Sequence, residues 1–107
     1  MDRIARVTLQ PTARMLSVDG EVLSLTTVEF EILARLVRAA GTVVERNQLI
    51  AEVFERQPVP QDRALDVHIS HLRKKLGSNK SLIVTVRGVG HMLRAPSAPI
   101  ALDVALR

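Results

Sequence analysis

At 107 residues without a cysteine, the chain is one domain that buries roughly 60–70% of the surface its unfolded form exposes, and it holds neither a disulfide nor a thiolate metal site. No apolar run reaches the length of a membrane span and the N-terminus Met-Asp-Arg-Ile-Ala-Arg lacks the apolar region of a signal peptide, so a cytoplasmic location is expected. The formal net charge is +4, with 12 arginines among the 15 basic residues, and this balance favours a polyanion as partner.

The hydrophobic residues are almost all aliphatic; Phe30 and Phe54 are the only aromatic side chains, so an aliphatic core is expected. Residues 1–6 read as a linker, and the folded domain as residues 7–95. From Ile4 to Leu25 there is no helical period. Val7 and Leu9, then Met15 and Ser17, then Val22, Leu23 and Leu25 suggest short antiparallel strands, three or four in number, broken by Pro11-Thr12 and Asp19-Gly20. Asp-Gly between apolar runs is a hairpin signal, because a type I′ turn demands positive φ.

The pattern changes at Leu25-Thr26-Thr27-Val28-Glu29-Phe30. Thr26 can cap the first amides of a helix, Glu29 can reach back to the cap, and Leu25 and Phe30 are spaced for a hydrophobic staple. Phe30, Leu33, Val37 and Ala40, with Leu36, form the apolar side; Glu31, Arg35 and Arg38 face water, and Gly41 supplies the stop. Thr42-Val43-Val44 is an extended connector to a second helix from about Arg46 to Phe54, which buries Leu49, Ile50, Val53 and Phe54 and has only Glu45 or Asn47 as a poor cap. Pro58 and Pro60 force a loop over Glu55 to Pro60, and Pro60 is placed as the first residue of the next helix, with Gln61 and Asp62 in its first turn.

In the third helix Leu65, Ile69, Leu72 and Leu76 recur at i, i+4, i+7 and i+11, one narrow stripe that needs a core. At 100° per residue the opposite side carries Arg63, Val67, Ser70, His71 and Lys74, with Ala64, Asp66 and Arg73 on the flanks. That outer face is basic with one small apolar residue amid the charges, a composition suited to a nucleic-acid groove. Leu76-Gly77 ends the helix and Ser78 to Ser81 is a polar loop. Leu82 to Val86 and His91 to Leu93 then read as two strands around Arg87-Gly88-Val89-Gly90, a hairpin or wing. Residues 96–107 show no period and are expected to be a mobile tail.

Strands, three helices and a closing hairpin describe an α+β winged helix-turn-helix. The run from Arg63 to Leu76, Arg-Ala-Leu-Asp-Val-His-Ile-Ser-His-Leu-Arg-Lys-Lys-Leu, followed by Thr85-Val86-Arg87-Gly88-Val89-Gly90, resembles the effector domain of OmpR/PhoB-type response regulators of two-component systems, and within that family is most similar to CpxR-like members. The resemblance covers about Val7 to Arg94. It implies a transcription factor that binds double-stranded DNA on direct-repeat half-sites as a head-to-tail homodimer, with the Glu55 to Pro60 loop facing RNA polymerase. It places the third helix in the major groove, with Arg63, Val67, Ser70, His71 and Lys74 towards base edges and flanking phosphates, Ala64 and Asp66 beside them, and His68 and Arg73 on phosphates. Thr85 and Arg87 match the family's backbone and minor-groove contacts, where a narrow A·T-rich groove attracts Arg. Three positions depart from the pattern: Ser70 and His71 stand where members often carry Arg, and His91 stands where Tyr is common. The 107 residues include no phospho-acceptor receiver domain, so an excised effector domain and a stand-alone regulator both fit.

Other features carry simpler readings. His68 and His71, near Asp66, could suggest a metal, but no third ligand has convincing spacing, and neither a metal nor a cofactor is expected. Asp66 suits either an ion pair with Arg63 or a wing residue, or contact with a cytosine amino group. Thr26 and Glu29 are capping residues, and Gly88 and Gly90 belong to the wing turn. Arg14, Arg35, Arg38 and Arg56 read as ordinary surface. The rival to DNA binding is a winged helix that packs its third helix on a protein partner. An enzyme lacks support, since no nucleophile–base pair, paired acid cluster or cofactor fingerprint occurs.

Overall fold

The computed structural model describes residues 7–10, 14–18, 20–39, 41–94 and 101–102. Three short strands come first: β1 (Val7–Gln10), β2 (Met15–Val18) and β3 (Glu21–Ser24). They pair antiparallel, with Leu9 opposite Leu16 and Leu16 opposite Leu23. Leu9, Leu16 and Val18 are buried, so one face of the sheet lies on the core. Val18 pairs with Glu21, leaving the two-residue Asp19-Gly20 connection the sequence suggests, and Gly20 has φ +88°. The expected linker, residues 1–6, lies outside the described residues. The segment expected as a tail supplies a two-residue strand at 101–102, parallel to β1 (Thr8 opposite Ala101); the rest of it lies outside the described residues.

Helix α1 (Thr27–Arg38) starts on the anticipated capping box. Thr26 Oγ1 accepts from the Glu29 N–H at 3.1 Å and Glu29 Oε1 accepts from the Thr26 N–H at 2.9 Å, which satisfies two amides that a helix start otherwise orphans. Phe30, Leu33, Leu36 and Val37 are buried as their spacing requires, and so are Ile32 and Ala34. The buried arc is wider than one stripe because α1 packs on both other helices and on the hairpin sheet. Ala40 lies outside the described residues.

The connector is a strand, β4 (Val44–Glu45), that leads directly into α2 (Arg46–Phe54). No side chain caps α2, in keeping with its poor capping sequence; Leu49 and Ile50 are buried, while Val53 and Phe54 are half-buried. Helix α3 (Ala64–Leu76) begins four residues after Pro60, a correction to the sequence reading. Gln61 adopts φ +58°, which breaks any helix begun at Pro60. Asp62 therefore precedes the first turn, and its carboxylate accepts from the N–H groups of Val59 and Ala64. The expected stripe of Leu65, Ile69, Leu72 and Leu76 is buried, each side chain contributing about 1.5–3 kcal/mol by its removal from water. The segment after Gly77 is a 3-10 turn over Gly77–Leu82 instead of an open loop.

The wing consists of β5 (Ile83–Val86) and β6 (Gly90–Leu93), with β4 as a third strand on the far side of β6. Val44 lies opposite His91 and Glu45 opposite Gly90. A Cβ on Gly90 would sit 2.0 Å from the Val44 carbonyl oxygen, so only glycine lets the two backbones approach this closely. The wing is thereby fastened to the start of α2, immediately beside α3.

Candidate nucleic-acid interface

Helix α3 buries its stripe against α1 and α2 and leaves its outer face in water. Arg63, Val67, Ser70, His71 and Lys74 are all exposed, and with Asp66 they line one shallow depression. Val67 is 48% exposed at its centre. A solvated face has no use for such a residue, whereas an apolar contact among basic and hydroxyl groups suits a groove edge that carries both methyl groups and acceptors. Arg87 is exposed at the wing turn, where the Val89 N–H donates to the Val86 carbonyl at 2.9 Å.

The remaining candidates lie in the same region but are engaged within the protein. Arg73 is half-buried. Its Nε and Nη2 donate to the Ile83 carbonyl at 3.2 and 2.7 Å, and Nη2 also donates to Thr85 Oγ1 at 2.7 Å. Thr85 in turn shares a 3.1 Å hydrogen bond with Nδ1 of the buried His91. Arg73 and Thr85, expected at phosphates, thus join α3 to the wing. His68 is half-buried, with its ring 5.6 Å from that of Phe54, and Ala64 is half-buried in the first turn.

Asp66 pairs with neither Arg63 nor the wing as its main partner. The guanidinium of Arg46, at the start of α2, meets its two oxygens at 2.7 and 2.9 Å. This bidentate contact holds the Asp66 carboxyl below its ordinary value and raises that of Arg46. Twenty residues separate the two, and no sequence spacing announces the pair. Arg56 also departs from the surface reading. It makes a double contact with the buried Asp62 at 2.6 and 3.1 Å and stands 5.4 Å over the Phe54 ring. Its hydrogen bonds hold the Asp62 carboxyl far below its usual range. Arg35 likewise bridges Glu31 at 2.5 Å and Glu52 of α2 at 3.2 Å.

Two further groups escaped sequence reasoning. Lys75 reaches from α3 to Glu29 Oε1 at 2.6 Å and to the Ser24 carbonyl at 3.0 Å. Burial pushes the Glu29 carboxyl up, but hydrogen bonds from Lys75 and the Thr26 N–H outweigh it and hold the group below 4.5. His91 is held below 6.5, first by burial and then by the charge of Arg73, with Asp66 pulling the other way. Among the described residues, no cluster of three His, Asp or Glu side chains could hold a metal, and no helix is long and apolar enough to cross a membrane.

The family described as "Transcriptional regulatory protein, C terminal" matches residues 20–93. The CpxR homolog of Haemophilus influenzae is 42% identical over 90 residues, which cover 81% of this chain and 40% of that protein. CpxR of Escherichia coli is 40% identical over 92 residues, covering 83% and 40%. The chain therefore spans about 40% of the length of the relatives it matches. Among solved structures, the DNA binding domain of CpxR from E. coli has a TM-score of 0.77 at 35% identity, covering 90% of this chain and 97% of that one. The Klebsiella pneumoniae RstA DNA-binding domain in complex with RstA box has a TM-score of 0.75 at 31% identity, covering 87% and 95%. With its outward-facing third helix and hairpin wing, the chain belongs to the winged-helix DNA-binding effector domains of OmpR/PhoB-type transcriptional regulators.

Proposed function

We propose that this domain regulates transcription by binding double-stranded DNA with sequence preference, α3 entering the major groove and Arg87 of the wing the adjacent minor groove. The observation that carries this reading is the exposed face of Arg63, Val67, Ser70, His71 and Lys74 around one depression, next to a wing fastened to the same helix. Arg63 and Lys74 supply the phosphate attraction, and Ser70, His71 and Val67 the contacts to base edges. Asp66, Arg73 and Thr85 act mainly by holding the helix and wing in place; His68 and Ala64 support the helix edge. Within a longer response regulator of the cytoplasm, two copies would sit head to tail on direct-repeat half-sites. The Glu55 to Pro60 loop, whose Gln57, Val59 and Pro60 are exposed, would meet RNA polymerase.

The test is a fluorescence-anisotropy titration against promoter DNA and scrambled duplexes over a range of salt concentrations. Binding whose logarithm falls linearly with log salt, at about 0.9 per phosphate contact, and which prefers a subset of sequences is the expected result. No salt-dependent binding at any ionic strength would leave the fold in the service of a protein partner instead.

A further inference from the structure

We infer that Arg46 is a positioning residue for DNA recognition: it ties the wing turn and the first turn of α3 to the start of α2, and so sets the separation between the two elements that read the duplex. The inference rests on the DNA-binding reading and goes beyond it, because Arg46 lies outside every set of residues assigned to touch DNA.

Four hydrogen bonds, to three different residues, converge on this one residue. Its backbone N–H donates to the Val89 carbonyl in the wing turn at 3.0 Å. Nη1 donates to Asp66 Oδ1 at 2.7 Å and Nη2 to Asp66 Oδ2 at 2.9 Å. Nη2 also donates to the Asp62 carbonyl, in the segment that enters α3. Both terminal nitrogens are thus directed at the protein, which separates Arg46 from the exposed cations Arg63, Lys74 and Arg87. The wing also pairs with β4 next to this anchor, Gly90 lying against Val44 with no room for a Cβ.

The geometry explains why a rigid tie matters. B-form DNA repeats every 10–10.5 base pairs over 34–36 Å, so one base pair is a shift of about 3.4 Å and a turn of about 34°. A helix in the major groove and an arginine in the next minor groove can both engage only if their separation is held more tightly than that step. A planar fork that pairs bidentately fixes direction as well as distance, which a lysine ammonium cannot do. Asp66 also explains itself here: it sits on the rim of the basic face as the fixed end of the tie, and its pairing with Arg46 removes the repulsion a bare carboxylate would exert on phosphate.

The experiment uses the whole chain and a duplex selected by the wild-type protein from a randomised pool, together with versions carrying one extra base pair between the helix-protected segment and the wing-protected flank. Arg46→Met keeps the packing and helix propensity but cannot pair; Asp66→Ala removes both acceptor oxygens from the other side and guards against a folding defect in the first variant. Urea midpoints report folding. For wild type, the insertion should weaken binding about tenfold, the size of one misread base pair. In both variants, binding to the parent duplex should fall about as much, while the additional penalty for the insertion drops below about threefold and the salt slope stays unchanged. A variant that folds and keeps the full insertion penalty would overturn the positioning role, whatever its affinity. Failure of the wild type to select any duplex would instead overturn the DNA-binding reading on which the inference stands.

Discussion

Replacing Glu29 by alanine removes the acceptor that joins two elements, α1 and α3. The carboxylate is 3% exposed and receives the Thr26 N–H at the start of α1 and the Lys75 ammonium from α3. Without it the Thr26 N–H loses its partner in a part-buried site, and an unsatisfied donor of this kind costs about 1–3 kcal/mol. Lys75 loses less. Its side chain is 36% exposed and keeps the Ser24 carbonyl, and an ion pair so open to water is worth about 0–1 kcal/mol. The sum is about 2 kcal/mol, or a fall in melting temperature of about 8–16 °C for a domain of this size. Urea unfolding followed by far-UV circular dichroism gives the free energy directly. A pH series adds a second check: the folded carboxyl titrates below its unfolded value of 4.5, so its contribution is present above that pH and fades as pH falls through the folded value. The gap between wild type and Glu29→Ala should therefore narrow from pH 6 towards pH 3. A loss smaller than about 0.5 kcal/mol, within the range of an ordinary surface substitution, or a gap independent of pH, would refute the assignment of Glu29 as the joint between α1 and α3.

Three other outcomes follow from the same contacts. Gly90→Ala places a methyl group against the Val44 carbonyl and should destabilise the chain by about 2 kcal/mol or more; a wild-type urea midpoint would mean that β4 and β6 can separate freely. Arg87→Ala should weaken DNA binding most where the flank is A·T-rich, because the narrow minor groove concentrates negative potential; equal loss on all flanks would reduce Arg87 to a phosphate contact. His91 titrates below 6.5 in the fold, so the unfolded chain takes up the proton first and stability should decline as pH drops from 7.5 towards 5. His91→Gln should flatten that decline, and an unchanged slope would show that another group causes it.

The sequence by itself determined the elements whose causes are local. The capping box at Thr26 and Glu29, the Asp19-Gly20 connection, the stripe Leu65, Ile69, Leu72 and Leu76, and the stop at Gly77 all depend on residues within a few turns of one another, where spacing alone decides geometry. The exposed set Arg63, Val67, Ser70, His71 and Lys74 followed from the same period, since whatever lies opposite a buried stripe faces water. The start of α3 was misplaced because Pro60 looks like a helix opener until Asp62 finds Arg56 and the two N–H groups that bind it. Only the tertiary structure decided which polar residues stay free. Asp66 is taken by Arg46, twenty positions away; Arg73 is drawn to Thr85, which in turn bonds His91; Lys75 is drawn to Glu29. Helical periodicity says which way a side chain points, but its partner is set by what another element brings within about 3 Å, and that proximity exists only once β4, α2 and the wing have closed around α3.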